Sequence, residues 1–274
     1  MEPPDVQEPA SAFDEMAAGY DRTFSDSLIG SLMRETVWRR LDTVFSAGQS
    51  VLELNCGTGE DAVHLALRHV NVVATDISVE MIRATEAKVA RYGLQDRVEV
   101  RRLALEDLAQ EAELLRPKGA TSGQSFDGAL SNFGGLNCAQ ELRPIAEGLA
   151  SCVRPGGTAL LCVMGPLCPW EWAWYIARMQ PGKAFRRLRP GGVPWRGLTI
   201  RYPSIRAVER AFAPEFKLRR AMAVGTLIPP TYAESWAQRH PRIVKRLGRW
   251  DRLLASVPPL PSLADHYLLE MVRR

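Results

Sequence analysis

The stretch Val51-Leu-Glu-Leu-Asn-Cys-Gly-Thr-Gly59 is an apolar run that leads into a turn containing two glycines. Its apolar half is typical of a buried strand, and the residues that follow the turn are typical of a helix. Glycine adopts backbone angles that other residues avoid, and it lets a ligand approach the main chain closely. The stretch therefore predicts a strand, a ligand-binding turn and a helix in succession.

The alternation of strand and helix continues on both sides of this motif. Further apolar runs predict strands at 70–75, 98–103, 126–130 and 158–164, with helices at 28–46, 61–68 and 79–92. Beyond them, the pattern predicts a Trp-rich helix within 166–190, a strand at 198–202, a helix at 204–212 and strands at 216–224 and 266–272. Such alternation is typical of a parallel sheet with helices on both faces. We therefore expect an α/β fold with a doubly wound, mostly parallel sheet of seven strands.

Length and composition limit the possible classes. A chain of 274 residues suits one large α/β domain, and 46% apolar with 24% charged residues is ordinary for a globular protein. The first residues do not show the basic patch followed by an apolar run that is typical of a secretory signal, and the five cysteines form neither a C-x-x-C pair nor a zinc-like cluster. We expect a cytoplasmic protein with no structural metal and no disulfide framework.

The net charge of +4 is mild, but its distribution is uneven. The segment 2–26 is mainly acidic, whereas 178–210 contains nine Lys and Arg residues that stand out as a basic region. That region could attract an anionic substrate, a membrane surface or a nucleic acid. A solvated Arg-rich face is the simpler interpretation.

Two ligands compete for the glycine turn. Gly57-x-Gly59-x-x-Ala62 satisfies a relaxed dinucleotide fingerprint, and Asp76 is placed to bind a ribose. A pyrophosphate would sit at the helix N-terminus, but that turn carries Glu60 and Asp61, which should repel it. The acids favour a cationic ligand instead.

Several segments, taken in order, resemble the motifs of the class I S-adenosylmethionine-dependent methyltransferases. The resemblance covers roughly residues 13–165. It begins with Phe13-Asp-Glu-Met-Ala-Ala-Gly-Tyr20-Asp, which is similar to the family's N-terminal lid. The motifs that follow are Glu53 to Gly59, Val72-Val-Ala-Thr-Asp76-Ile-Ser, Leu103-Ala-Leu-Glu-Asp107-Leu, Phe126 to Gly135, and Leu149 to Val163 with Arg154-Pro-Gly-Gly157. The resemblance is to the small-molecule type, including the quinone and natural-product enzymes.

This resemblance implies a domain plan and an antiparallel last strand. We expect one methyltransferase domain at 13–274, preceded by a flexible tail at 1–12 that its Pro and acidic residues indicate. Within that domain the lid helices would lie at 13–48, the cofactor-binding core at 49–165, and substrate-cap insertions at 166–215 and 225–264.

The resemblance also implies S-adenosylmethionine as cofactor, with S-adenosylhomocysteine as product. Asp76 would bind both ribose hydroxyls, Met81 would lie beside the adenine, and Leu105 or Glu106 would contact the adenine edge. Asn55 replaces the usual first glycine of the turn and tolerates a left-handed backbone. The full set of expected cofactor residues is Tyr20, Glu53, Leu54, Asn55, Gly57, Gly59, Asp76, Ile77, Met81, Leu105, Glu106, Ser131, Asn132 and Phe133.

The methyl acceptor should lie beyond the carboxyl ends of the strands. This points to Asn132, Phe133 and Asn137, to 166–175, and to 225–267. Where the acceptor must lose a proton, His266 is the preferred base, because its charge changes near neutral pH. The alternatives are Tyr20, Glu171 and His240.

A cluster of aromatic residues bears on the kind of acceptor. Trp170, Trp172, Trp174 and Tyr175 could wall an apolar pocket, lie at a lipid interface, or pack against the sheet. The first two options favour an apolar, lipid-like or polyketide-like small-molecule acceptor and keep peripheral membrane contact open.

Three other functions remain as alternatives to small-molecule methylation. The same fold and cofactor could serve a different reaction, such as a cyclisation. The chain could also be a non-catalytic subunit that binds the cofactor for a partner protein. A nucleic-acid methyltransferase fits the basic second half. Ser131-Asn-Phe-Gly134 argues against that option, because it lacks the Asn-Pro-Pro-aromatic signature of amino-methylating enzymes, and the chain contains no Pro-Cys pair.

Overall fold

The computed structural model describes residues 9–117 and 125–274. Residues 1–8 of the predicted tail lie outside the described residues, and the remaining part of that tail, from Pro9, begins a helix. Side chains are described from Ala12 onward.

Seven strands form the main sheet, and two more form a separate hairpin. In chain order the strands are β1 (Ser50–Leu54), β2 (Asn71–Asp76), β3 (Val98–Arg102), β4 (Phe126–Ser131), β5 (Val153–Met164), β6 (Val193–Trp195), β7 (Leu198–Ile200), β8 (Phe216–Val224) and β9 (His266–Arg273). The main sheet has the order β3-β2-β1-β4-β5-β9-β8, and β6 pairs with β7 alone. Neighbouring strands from β3 to β5 are parallel, and β9 is antiparallel to both β5 and β8. The mostly parallel seven-stranded α/β sheet with an antiparallel last strand is confirmed.

The helices cover both faces of this sheet. They are α1 (Pro9–Tyr20), α2 (Leu28–Val44), α3 (Glu60–Leu67), α4 (Val79–Arg91), α5 (Leu108–Glu111), α6 (Arg143–Cys152), α7 (Pro169–Ile176), α8 (Pro181–Ala184), α9 (Ile205–Phe212), α10 (Glu234–Arg239) and α11 (Pro241–Leu254). A short π-helical turn, Asp21–Ser25, follows α1. The side chains of Ser27, Ser78 and Ser204 accept hydrogen bonds from backbone N–H groups in the first turns of α2, α4 and α9, which fixes where these helices begin.

The core has two layers, one on each face of the sheet. Val51 belongs to the cluster on one face, whereas its neighbour Leu52 belongs to the cluster on the other. Val72 and Val73 of β2 divide in the same way. Successive side chains of a strand point to opposite faces, so a sheet covered on both faces needs apolar residues at nearly every position.

The predicted Trp-rich helix within 166–190 is shorter than expected. It is divided into α7 and α8, with Met179 between them in a left-handed backbone conformation, φ 55°. Pro181 also disfavours helical angles at Gln180, which has φ −120° and ψ 60°. The predicted strand at 198–202 is β7, which ends at Ile200 and lies outside the main sheet.

The connection between β8 and β9 has a structural role that the predicted cap did not include. Ala237 and Val244, from α10 and α11, are buried in the same core cluster as Ile29 of α2. Glu234 accepts hydrogen bonds from the backbone N–H groups of Leu28 and Ile29 at 2.8 and 3.1 Å. The connection therefore holds α2 on the sheet. Within the described residues, no helix is both long enough and apolar enough to span a bilayer.

Candidate cofactor and acceptor site

A cavity of about 700 Å³ lies beyond the carboxyl ends of the parallel strands. Its floor includes Asn55 after β1, Asp76 at the end of β2 and Asn132 after β4. Phe13, Met16 and Tyr20 of α1 cover one side, and the β6–β7 hairpin covers another. The cavity therefore lies where ligands bind in doubly wound folds.

Ten of the fourteen predicted cofactor residues line this cavity. They are Tyr20, Asn55, Gly57, Asp76, Ile77, Met81, Leu105, Glu106, Asn132 and Phe133. The other four, Glu53, Leu54, Gly59 and Ser131, are not among the lining residues and are buried behind the turn. Glu53 Oε2 has no hydrogen-bond partner among the described residues, and burial raises the pKa of this carboxyl well above its usual value.

The glycine turn presents open backbone to the cavity at Gly57. Asn55 has φ 55° and Gly57 has φ 56°, so Asn55 adopts the left-handed conformation that its position in the motif predicts. A Cβ atom added at Gly57 would meet nothing within 4 Å, whereas one at Gly59 would lie 2.6 Å from Thr85 Cγ2. Gly57 leaves space for a ligand, and Gly59 allows α3 to approach α4.

Asp76 connects the ends of β1 and β2 at the cavity wall. Its carboxylate accepts hydrogen bonds from the backbone N–H groups of Gly57 at 2.9 Å and Ser78 at 3.0 Å. A carboxylate offers about four acceptor positions, so it retains capacity for two hydroxyl donors. Burial raises the pKa of Asp76, and the N–H donors partly oppose that rise.

The acids at the start of α3 do not face the cavity, which corrects the electrostatic argument drawn from the sequence. Asp61 is buried and accepts from Arg34 Nη1 at 2.8 Å, Trp38 Nε1 at 2.5 Å and Asn132 Nδ2 at 2.8 Å. Glu60 pairs with Lys88. The acids that line the cavity are instead Asp76 and Glu106.

Tyr20 has the environment of a hydrogen-bond donor. Desolvation raises the pKa of its phenol to about 12 although Arg34 opposes the shift. The phenol is therefore protonated near neutral pH and is a poor general base in this state.

His266 lies beneath the cavity wall. It is buried, its ring packs edge-on against Phe133 with centroids 5.5 Å apart, and it is not among the lining residues. Its Nδ1 is 3.1 Å from Asp265 Oδ2. Glu171 and His240, the alternative bases, do not line the cavity either.

An ion-paired cluster holds the cap against β9. Cys168, Glu171 and Asp265 lie close enough together to suggest a metal site. Arg187 binds both carboxylates, at 2.8 Å to Glu171 Oε2, and also donates to the carbonyl oxygen of Asp265 at 3.0 Å. Burial alone would raise the pKa of Asp265, but the Arg187 guanidinium and other nearby groups outweigh burial and hold this pKa below its usual value. Ion pairing accounts for this cluster.

The other side of the cavity is lined by residues outside the set predicted to contact the acceptor, although most of them lie within the predicted cap insertion 166–215. Trp170, Trp172, Trp174 and Tyr175 do not line it. Trp172 packs against Phe185 and Trp174 against Tyr232. The residues that line this side are Met164, Arg186, Val193, Pro194, Trp195, Gly197, Leu198, Thr199, Ile200, Arg201 and Tyr202. The short runs Val193-Pro-Trp195 and Leu198-Thr-Ile200, on either side of the two-residue turn Arg196-Gly197, are the sequence signal that could have identified β6–β7.

These residues fit the cofactor that the sequence resemblance implies. Gly57 provides open main chain, Asp76 provides acceptors, and Met81 and Leu105 provide apolar surface for a base. The acids Asp76 and Glu106 complement a ligand that carries an ammonium and a sulfonium.

Comparison with known sequences identifies the core of this site. Residues 52–159 match a family described as a methyltransferase domain. The chain is 30% identical over 155 residues to a demethylmenaquinone methyltransferase of Clavibacter sepedonicus, covering 56% of each chain. It is 31% identical over 161 residues to the enzyme of that name from Mycobacterium tuberculosis, covering 58% of this chain and 59% of the relative. The chain thus spans less than three fifths of the length of these curated relatives.

Comparison with solved structures supports the fold. An S-adenosylmethionine-dependent methyltransferase from Mesorhizobium loti superposes with a TM-score of 0.54 at 14% identity, covering 87% of this chain and 98% of the other. A sarcosine dimethylglycine methyltransferase from Galdieria sulphuraria gives 0.54 at 12% identity, covering 87% and 85%. The motifs, the sheet order and these likenesses are those of the class I S-adenosylmethionine-dependent methyltransferases, and residues 52–159 carry the match to the methyltransferase-domain family.

Proposed function

We propose that this protein transfers a methyl group from S-adenosylmethionine to an apolar small-molecule acceptor. The observation that carries the proposal is one continuous cavity that joins the glycine turn and Asp76 to the apolar hairpin. When bound, the cofactor supplies an activated methyl carbon. The contribution of the protein is then to bind, orient and desolvate the two reactants.

The lid and the hairpin support this role because they meet over the cavity. The rings of Phe13 on α1 and Trp195 on β6 lie 5.8 Å apart, and Arg196 pairs with Glu15 at 2.8 Å. Asp14 accepts a hydrogen bond from the hydroxyl of Ser78 at 2.5 Å, which fastens α1 to the start of α4. A cover held at two sides excludes water from the reacting groups.

The acceptor side favours an apolar body. Met164, Val193, Trp195, Leu198 and Ile200 contribute to its lining. The solved relatives include a geranyl diphosphate C-methyltransferase from Streptomyces coelicolor A3(2), with a TM-score of 0.52 at 12% identity, covering 85% of this chain and 76% of the other. The curated relatives are named for demethylmenaquinone. These names and the lining favour quinol-like, polyketide-like or isoprenoid acceptors over small polar ones.

The proton acceptor of the reaction stays a proposal. His266 would act through a rearrangement of Phe133, because Phe133 and not His266 lines the cavity. Tyr20 is better suited to donate a hydrogen bond to the cofactor or the acceptor. The predicted cytoplasmic location stays a prediction as well.

Methyl transfer is tested with the full chain, methyl-labelled S-adenosylmethionine and two sets of acceptors. One set contains naphthoquinols and long-chain phenols, and the other contains small polar amines and alcohols. We expect label and the mass of one methyl group in products of the first set. Unchanged product mass would favour a cyclisation-type reaction, and equal labelling of both sets would contradict an apolar acceptor.

A matched pair of tryptophan variants locates the acceptor. Trp195→Ala should lower turnover of apolar acceptors by roughly tenfold or more, because the lost ring both lines the pocket and contacts the lid. Trp250→Ala removes a 54% exposed ring on α11 and should leave turnover unchanged. Equal effects of the two substitutions would place the acceptor elsewhere.

A further inference from the structure

Charge is distributed unequally along the cavity. The lining acids among the described residues are Asp76, the last residue of β2, and Glu106, which follows β3. The lining cations are Arg186 and Arg201, which flank the β6–β7 hairpin. The cofactor end is therefore acidic, and the acceptor end is basic.

A second, shallower pocket extends the basic end outward. Its volume is about 540 Å³, and its lining residues are Gln180, Gly182, Lys183, Arg186, Arg189 and Val193. Arg186 and Val193 line both pockets, so the two are adjacent. No acid lines this second pocket in the part of the chain that the structure describes. We call Lys183, Arg186, Arg189 and Arg201 the basic rim.

The nearby carboxylates leave most of this positive charge unpaired. Glu171 binds Arg186 Nε at 2.7 Å and also binds Arg187, while Asp265 binds Arg187. These two acids balance Arg186 and Arg187. The other rim residues, Lys183, Arg189 and Arg201, have no carboxylate partner in the described ranges 9–117 and 125–274.

We propose that the methyl acceptor carries an anionic group, a carboxylate or a phosphate, which binds at the basic rim while its apolar body lies against the β6–β7 hairpin. This inference rests on the proposed function, because it names the chemistry of the same acceptor. Arg and Lys form charge-assisted hydrogen bonds with both groups, and such bonds are stronger than neutral ones. The cavity is negative at the end that would hold the cationic cofactor and positive at the other end. This field would orient an acceptor so that its anionic group points away from the cofactor.

The test uses three probes that share one apolar body: 2-naphthoate, 2-naphthyl phosphate and the neutral 2-naphthamide. Their binding to the full chain is measured by calorimetry, with and without saturating S-adenosylhomocysteine. We expect at least one anion to bind roughly tenfold to a hundredfold more tightly than the amide. The stronger anion then distinguishes a carboxylate acceptor from a phosphorylated one.

Charge-matched variants distinguish the effect of the basic rim on anion binding from the effect of the protein's overall charge. Lys183→Gln/Arg189→Gln and Arg201→Gln should each reduce the preference for the anion by several-fold. Arg206→Gln/Arg210→Gln removes two cations from α9, which line neither pocket, and should preserve the preference. Retention of the preference in both rim variants, or its equal loss in the α9 variant, would overturn the proposal.

The controls distinguish failure of this inference from failure of the proposed function. S-adenosylhomocysteine binds in one possible result, while the amide and the two anions bind with equal affinity or none of the three probes binds. The proposal of an anionic acceptor is then wrong, and the methyltransferase proposal stands. If S-adenosylhomocysteine does not bind, the proposed function fails, and the probe series without cofactor still tests the rim.

Discussion

Arg34 Nη1 donates a hydrogen bond to Asp61 Oδ2 at 2.8 Å, joining the middle of α2 to the first turn of α3. Both side chains are almost fully buried, with 7% and 5% exposure. The carboxylate that the sequence places at the glycine turn is therefore already paired, and its charge is not available to select a ligand. We therefore expect cofactor choice to depend on the groups that reach the cavity, chiefly Gly57 and Asp76.

Gly57→Ala should block cofactor binding without unfolding the protein. The new methyl group would enter open space at the cavity, where we expect the cofactor to approach the main chain. A left-handed backbone makes alanine unfavourable by about 1 kcal/mol, so a modest loss of stability is expected as well. Calorimetric titration with S-adenosylmethionine measures the first effect, and urea unfolding measures the second.

Gly93→Ala is the matched control for this substitution. Gly93 has φ 67°, also faces open space, and follows α4 away from the cavity. Gly93→Ala should lose the same amount of stability, because alanine again occupies a left-handed backbone position, but its affinity for the cofactor should be unchanged. Loss of affinity in both variants would mean that backbone strain, and not occupancy of the turn, explains the result.

Asp76→Asn should weaken S-adenosylmethionine binding by roughly tenfold to a hundredfold, since hydrogen bonds to a charged acceptor contribute about 1.5–3 kcal/mol. The raised pKa of Asp76 also gives a pH dependence. Affinity for S-adenosylmethionine should be highest when the carboxyl is ionised. As the pH is lowered, this affinity should begin to fall at a higher pH than it would for an aspartate of ordinary pKa. Asparagine does not titrate, so the variant should lose this dependence.

Asp251→Asn controls for the loss of a buried aspartate. Asp251 accepts from the backbone N–H groups of Gly225, Thr226 and Leu227, its pKa is also raised by burial, and it does not line the cavity. This variant should lower stability while preserving cofactor affinity and its pH profile. Identical binding curves for Asp76→Asn and the unmodified protein would exclude the ribose contact.

Arg187→Met should destabilise the protein by about 3–5 kcal/mol, because Glu171 and Asp265 would remain buried without their shared partner. Urea unfolding at neutral pH measures this loss. The pKa of Asp265 is lower in the folded protein than in the unfolded chain. Ionised Asp265 therefore stabilises the fold at pH values above its unfolded-state pKa, and this stabilisation is lost as the pH falls. The difference between the two proteins should therefore narrow in acid.

Two further variants make this expectation specific. Adding Glu171→Gln and Asp265→Asn to Arg187→Met should restore much of the stability, because no buried charge is then unpaired. Arg39→Met breaks an exposed pair with Glu35 and should have a much smaller effect. If Arg187→Met lowers the stability no more than Arg39→Met does, the ion-paired cluster does not hold the cap.

The sheet could be predicted from the sequence because its signals are local. The strand predicted directly before the glycine turn is β1, and the strand predicted at 216–224 coincides with β8, since apolar runs bounded by turn residues determine them. The left-handed backbone of Asn55 followed from its position in the motif in the same way. Residues carried by the motif, such as Asp76 and Met81, therefore line the cavity as expected.

The acceptor side could not be predicted because it depends on contacts between distant parts of the chain. Periodicity alone does not show that Trp174 packs against Tyr232 while Trp195 packs against Phe13 and faces the cavity. The pairing of Asp61 with Arg34 is likewise a tertiary contact. Charge read from one segment is reliable only when no other segment supplies the counterion.

Calorimetric titration of the purified full chain with S-adenosylmethionine, and separately with a nicotinamide dinucleotide, determines which of the two ligands the glycine turn binds. The cofactor end of the cavity has two lining acids, Asp76 and Glu106, and no lining Lys or Arg among the described residues. We expect saturable binding of the methyl donor and no detectable binding of the dinucleotide. Tight binding of the dinucleotide without binding of S-adenosylmethionine would show that this cavity is not a methyl-donor site.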